Sequence, residues 1–277
     1  MPRLDGKSRT EVKAKRVSFK PDVASDKGLR SPFYNPEKLE PFLTQCYDCL
    51  NKIGMGSFSE VFMARSKDDG KFYAVKRLNQ FASQPDRRRK LEEVKRCQMF
   101  SPHPNLVRFY DAWEEKNRLY IMTELCEMSM RDLTEKIHSI SEPVIWNYFY
   151  DLVLGLKHLH DNNLVHLDVK PANIFLSKEG TCKLGDFGLM IDLSLLGDPA
   201  SCDDVEEGDG CYLAPEVLTS NVITKAADIF SLGITMLEVA TDLELPAHGD
   251  EWKELRDGIF PEEFVSKLSP ELFSVIR

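Results

Sequence analysis

The chain has 277 residues, 42% of them hydrophobic and 29% charged, with a formal net charge of -9. Such a composition supplies a globular core, contains no apolar run of the ~18 residues needed to span a bilayer, and opens with no basic-then-apolar secretory leader; the sequence predicts a soluble, non-secreted chain. Up to Arg30 there are nine Lys/Arg against four Asp/Glu, a surplus of five that leaves -14 for the remainder, which argues against nucleic-acid binding because that depends on neutralising phosphates.

Residues 1–45 read as a disordered basic tail, polar and interrupted by Pro21, Pro32, Pro36 and Pro41 without a sustained period. Within it, Arg16-Val17-Ser18-Phe19 matches a short phosphatase-docking pattern, and Ser31-Pro32 matches a proline-directed phosphorylation site. Patterns this short also arise in an ordinary solvated tail. The seven cysteines are scattered and odd in number, which fits a reducing compartment. Cys46 and Cys49 form a CxxC, but no second pair or nearby His completes a zinc site.

From Tyr47 short β-branched and aromatic runs predict strands over Glu60–Ala64, Phe72–Lys76, Leu106–Trp113 and Leu119–Glu124, with Asp68-Asp69-Gly70 as a hairpin turn. A helix interrupts them at about Asp86–Phe100. Beyond Met128 helical spacing dominates, over Pro143–Asn162 and Asp228–Thr241. A β-rich part followed by an α-rich part predicts two lobes of one catalytic unit in an α+β fold.

The motifs fall in the same order. Gly54-Met55-Gly56-Ser57-Phe58-Ser59-Glu60-Val61 places two glycines between Leu50–Ile53 and Val61–Ala64. Glycine lets backbone N–H groups approach an anion, although an ordinary hairpin fits the same residues. Lys76 follows Val61 by fifteen residues inside an apolar strand, where a lysine is costly unless paired. Glu92 and Glu93 are the candidate partners, Glu93 preferred for its inward helix position. Then comes His166-Leu167-Asp168-Val169-Lys170-Pro171-Ala172-Asn173-Ile174-Phe175. There Asp168 can accept the proton of an attacking hydroxyl, Lys170 can neutralise a transferring phosphoryl group and Asn173 can bind metal. Asp186-Phe187-Gly188 follows Asn173 by thirteen residues, with Asp186 placed to hold magnesium across phosphates. Ala214-Pro215-Glu216 closes the series at the distance expected for an activation segment.

From about Tyr47 onward the chain resembles a eukaryotic protein kinase domain, and within that family it is similar to the Wee/Myt kinases, on their membrane-associated Myt side. The narrower resemblance rests on HLDVKPANIF with Leu167 in place of arginine, on Glu207-Gly208-Asp209, on Leu119–Cys126 and on Asp228-Ile229-Phe230-Ser231-Leu232-Gly233. It implies a bilobal protein kinase fold, with an N-lobe and hinge over 46–126 and a C-lobe over 127–277. It also implies that Glu124–Cys126 presents backbone to the adenine of ATP with Thr123 as gatekeeper. Ile53, Gly54, Gly56, Val61, Ala74 and Phe175 would line the nucleotide. Lys76, Glu93, Asp168 and Lys170 would be catalytic, and Asn173 and Asp186 would hold Mg2+. The implied substrate is a mitotic cyclin-dependent kinase bound to cyclin, phosphorylated on threonine and the adjacent tyrosine to restrain entry into mitosis, at the cytosolic face of endoplasmic reticulum and Golgi membranes. No anchor for that residence is read in this chain.

Three departures matter. Ser59 stands where such loops carry a third glycine. Leu167 removes an arginine that clamps a phosphorylated loop in many kinases, and Asp192–Gly210 carries seven Asp/Glu without Lys/Arg, so activity is expected not to require phosphorylation of Ser194 or Ser201. Kinase domains also continue past the helix beginning near Leu268, with an arginine that pairs with Glu216, so the C-terminal end reads as truncated at Arg277. A serine/threonine protein kinase with another substrate, or a silent kinase-fold scaffold, are the alternatives. A small-molecule kinase fits poorly because those folds lack the Ala-Pro-Glu segment.

Overall fold

A computed structural model of the chain describes residues 13–20, 29, 31–56, 59–195, 208–220 and 222–277. Ser57 and Phe58 of the glycine turn, and Ser201 with most of the acidic loop, lie outside the described residues. The chain divides into two compact units, one formed by the described residues up to Gln98 with Phe109–Leu125, the other by Met99–Arg108 with Cys126–Arg277.

In the first unit β1 (Lys15–Arg16), α1 (Phe42–Cys46), β2 (Tyr47–Met55), β3 (Ser59–Ser66), β4 (Phe72–Leu78), α2 (Gln84–Cys97), β5 (Phe109–Glu115) and β6 (Arg118–Glu124) follow in chain order. The strands make one antiparallel sheet in the order β1-β5-β6-β4-β3-β2. The β3–β4 hairpin turns at Gly70, whose φ of +70° suits a residue without a Cβ. One sheet face buries Ala64, Val75, Trp113 and Tyr120 against Phe42, Leu43 and Cys46. The other buries Leu78, Ala112, Leu119 and Ile121 against Val94 of α2. That helix starts two residues before the expected Asp86, because the Ser83 side chain accepts the Asp86 N–H and Pro85 occupies the first turn.

The reading of 1–45 as disordered needs correction for the described part. Lys15–Arg16 pairs with Trp113 and Glu114 at the sheet edge, Val17 N donates to Ala112 O at 2.9 Å, and Arg16 Nε lies 2.9 Å from Asp111 Oδ1. Further on, Phe42 meets Tyr34, Tyr47 and Trp113 edge-on, and Glu115 accepts the Phe42 N–H with both carboxylate oxygens. Aromatic burial across this distance in sequence supplies order that no local period announces. The strand read over Leu106–Trp113 is also divided. Leu106 bridges to Leu184 in the second unit, and the sheet strand begins only at Phe109.

The second unit runs β7 (Met128–Ser129), α3 (Met130–Lys136), α4 (Glu142–Asp161), β8 (Leu164–Val165), β9 (Ile174–Leu176), β10 (Cys182–Leu184), β11 (Ile191–Asp192), α5 (Pro215–Ser220), α6 (Lys225–Thr241), α7 (Asp250–Arg256), α8 (Glu262–Val265) and α9 (Pro270–Ile276). Helix α4 buries Ile145, Leu152, Leu156 and Leu159. Helix α6 is capped by Thr224 and buries Ala227, Leu232, Ile234, Met236, Leu237 and Val239, the nearly all-round burial of a central helix. The small β pairs β9–β10 and β8–β11 carry the loops in which the motifs sit.

Candidate active site

In the first unit the register places Gly54 opposite Val61, Val61 opposite Lys76, and Ala74 opposite Thr123. Directly opposed residues share a sheet face, as do residues two apart on a strand. Val61, Ala74, Lys76 and Thr123 therefore stand on the face that also carries α2. Lys76 Nζ lies 2.7 Å from Glu93 Oε1, whereas Glu92 pairs with Lys95 at 3.1 Å. Helix α2 inserts Val94 and Cys97 into the core, which directs the preceding Glu93 inward. The glycine turn is closed by Gly56 N donating to Ser59 O at 2.8 Å. An added Cβ would meet only ordinary contacts at Gly54 and Gly56, so neither glycine is required by the surrounding protein packing. Ile53 is 49% exposed. Thr123 Oγ1 donates to Glu124 O, which ends β6, and the division between the units falls between Leu125 and Cys126.

In the second unit the His166–Phe175 motif is suspended from α6. The carboxylate of Asp228, fully buried, accepts the His166 N–H at 2.8 Å, the Leu167 N–H at 2.9 Å and a bond from His160 Nε2 at 2.8 Å. This holds Leu167 in the left-handed region at φ 63°, a conformation that costs a non-glycine residue about 1–2 kcal/mol. The Asp168 carboxylate is thereby presented between two cations or donors: Lys170 Nζ is 2.9 Å from Oδ1, and Asn173 Nδ2 donates to Oδ2 at 2.6 Å. Asn173 Nδ2 also donates to Asp168 O at 2.9 Å, which turns the amide oxygen Oδ1 away as the acceptor end. Phe175 lies on β9 between Ser129 and Lys183.

Asp186 is exposed and left-handed at φ 58°, while Phe187 beside it is buried against Phe100 and His166. Gly185 before it admits no side chain: a Cβ there would sit 2.7 Å from Val107 and 3.0 Å from Phe175. An amide oxygen and a carboxylate on one loop pair make an all-oxygen donor set, which fits a hard divalent cation that completes its shell with phosphates and water. Among the described residues no group of three or more His, Cys, Asp and Glu gathers as a metal cage. Burial raises the Glu238 carboxyl above its ordinary value, opposed by the hydrogen bond it accepts from Tyr212 Oη at 2.7 Å.

Three positions that shape the site carry little signal in the sequence. Asp228 was noted only as part of a similar stretch, although an acid inside the apolar run Ala226–Leu237 is itself a signal of a buried anchor. His166 links Gly185 O to the Asp168 N–H. Gly185 has no local signal.

The protein kinase domain family matches residues 47–274. The chain is 46% identical over 249 residues to the membrane-associated tyrosine- and threonine-specific cdc2-inhibitory kinase wee-1.3 of Caenorhabditis briggsae, covering 90% of this chain and 37% of the relative. It is 49% identical over 235 residues to the enzyme of the corresponding name in Drosophila melanogaster, covering 84% and 43%. With the mitosis inhibitor protein kinase wee1 of Schizosaccharomyces pombe it shares 40% over 212 residues, 74% and 24%. The chain thus spans about two fifths or less of these relatives' length. Their names agree with the resemblance read from the HLDVKPANIF segment.

Proposed function

The chain belongs to the protein kinase domain family, and on that premise we propose that it transfers the γ-phosphoryl group of ATP, with magnesium, to threonine and tyrosine of a cyclin-bound mitotic cyclin-dependent kinase, restraining entry into mitosis. The observation that carries this reading is the Asp168 carboxylate held between Lys170 and Asn173 on a loop anchored by buried Asp228. Asp168 orients the substrate hydroxyl and takes its proton. Lys170 offsets charge on the phosphoryl group in flight. Lys76, positioned by Glu93, neutralises phosphate oxygens of the nucleotide, and Val61, Ala74 and Thr123 offer one sheet face to its base. Asn173 and Asp186 would hold the metal, which when bound screens the phosphates and polarises the transferred group. The relatives named as cdc2-inhibitory support the substrate.

The test is a magnesium-ATP assay on a catalytically dead cyclin-bound mitotic kinase, with Asp186→Asn as control. Phosphate on the threonine–tyrosine pair, lost in the control, is expected. Transfer to generic substrates alone would keep the kinase and sink the substrate.

The relatives named membrane-associated support residence at the cytosolic face of endoplasmic reticulum and Golgi membranes; no helix of the described residues is long and apolar enough to cross a bilayer. Fractionation of the tagged protein away from those membranes would remove that placement. Phosphatase docking at Arg16–Phe19 carries a condition: Val17 is packed among Leu78, Val94 and Ala112 and its N–H is bonded to Ala112 O, so docking requires release of this strand. A Val17→Ala, Phe19→Ala chain that still captures a phosphatase catalytic subunit would exclude the motif.

A further inference from the structure

We propose that Arg256 is a positioning residue that locks the substrate-facing end of the activation segment without phosphorylation, a role that rests on the kinase reading above. The segment Gly210–Leu213 precedes Ala214-Pro215-Glu216 and has no strand pairing, yet each of its four carbonyl oxygens is held. Arg256 Nη2, its two hydrogens shared among three acceptors, lies 2.6 Å from Gly210 O, 3.0 Å from Cys211 O and 3.3 Å from Leu213 O. Trp252 Nε1 also donates to Gly210 O at 3.2 Å, and Ser231 Oγ donates to Tyr212 O at 2.8 Å.

The guanidinium lies 3.6 Å over the Trp252 ring, and Arg256 Nη1 donates to Trp252 O at 3.1 Å. Stacking and a fork of donors are what a guanidinium supplies and an ammonium does not. Arg256 has no ion pair with an acid among the described residues, and its Nε is buried without a partner. Half-burying a guanidinium this way carries a desolvation cost; what it secures is one backbone conformation.

That conformation reaches the reacting groups through Asp209. Its carbonyl accepts the Tyr212 and Leu213 N–H groups, and its carboxylate lies 3.8 Å from Lys170 Nζ, the lysine already bonded to Asp168. The stretch is therefore held along its carbonyls by Arg256 and, at its Asp209 end, stands in a 3.8 Å charge contact with Lys170. Other kinases reach such order by pairing a phosphate with the arginine that Leu167 here replaces. In this chain a resident guanidinium on α7 performs the task on main-chain carbonyls.

The experiment compares wild type, Arg256→Gln and Arg256→Lys by amide hydrogen exchange and by steady-state kinetics. In Arg256→Gln the Tyr212 and Leu213 amides should exchange at least about tenfold faster, the scale of losing one or more hydrogen bonds, while the His166 and Leu167 amides held by Asp228 stay protected. KM for the protein substrate should rise about tenfold and KM for ATP stay within about twofold. Arg256→Lys, which keeps the charge without the fork, should fall between. Unchanged exchange at Tyr212 and Leu213 would overturn the proposal, as would parallel shifts of both KM values or simultaneous loss of His166 protection. If wild type transfers no phosphate at all, the kinase reading fails, and the exchange comparison still decides whether Arg256 is the clamp.

Discussion

In the first unit Lys76 and Glu93 meet across a strand and a helix through a 2.7 Å contact, with side chains still 24% and 13% exposed. In the second, Asp228 is at 0% exposure and carries two backbone N–H groups and an imidazole at once. The contrast is between a charge pair laid on a fold and a charge built into one. A pair that keeps some contact with water bears the loss of a partner better than a fully buried carboxylate does, so the Lys76–Glu93 geometry is less tightly bound to folding and depends on where α2 packs. A buried carboxylate stripped of solvent is tolerable only when its hydrogen bonds are complete, so the catalytic loop and the core of the second unit stand or fall together.

The sharpest break of that contrast is at Asp168, which belongs to the site but not to its scaffold. Asp168→Asn should lower phosphotransfer by about 10²–10⁴-fold, the range of general acid–base catalysis, with an unchanged melting temperature in calorimetry. Asp228→Ala should behave oppositely. It leaves the His166 and Leu167 N–H groups and His160 without their acceptor and should destabilise by about 3–5 kcal/mol in urea unfolding; a loss below about 1 kcal/mol would show that the loop holds itself. Glu93→Gln, which keeps a hydrogen-bonding amide beside Lys76, should cost less stability than Asp228→Ala while lowering kcat/KM by about 10–100-fold, the worth of one charge-assisted hydrogen bond. Equal damage to stability and rate would erase the distinction.

The smallest effect is one of pH. Burial raises the Glu115 carboxyl, opposed by the Phe42 N–H it accepts. With its folded pKa above the unfolded one, the folded state binds more protons; this contribution is full below the unfolded value and is lost as pH rises through the folded one. Denaturation midpoints of wild type and Glu115→Gln between about pH 4 and 8 should therefore diverge, wild type losing stability relative to the variant as pH rises. Parallel profiles would mean that the α1 cap is made equally well by either form.

Much of this organisation was legible in the chain. Lys76, Asp168, Lys170, Asn173 and Asp186 could be singled out because charged or amide side chains at fixed spacing beside apolar strands have few uses other than phosphate and metal chemistry. The helices expected at about Asp86–Phe100 and over Asp228–Thr241 form over Gln84–Cys97 and Lys225–Thr241. Glu93 is preferred over Glu92 in the sequence because it stands four residues before Cys97 on the same helix face, and it is Glu93 that reaches Lys76. By contrast, Lys15–Arg16 and Phe42–Cys46 give no local signal, because their order comes from an open sheet edge and from aromatic contacts made far along the chain.

The residue types and their intervals, then, determined by themselves which segments are candidates for phosphoryl-transfer chemistry, since a carboxylate, a lysine and an amide within one turn are close enough to act together. Only the tertiary structure decided what holds them in place. Asp228 takes the backbone of His166 and Leu167, Gly185 yields space to Val107 and Phe175, and Arg256 gathers the carbonyls of Gly210–Leu213. Those are contacts between segments distant in sequence, set by the need to satisfy buried polar groups and by close packing.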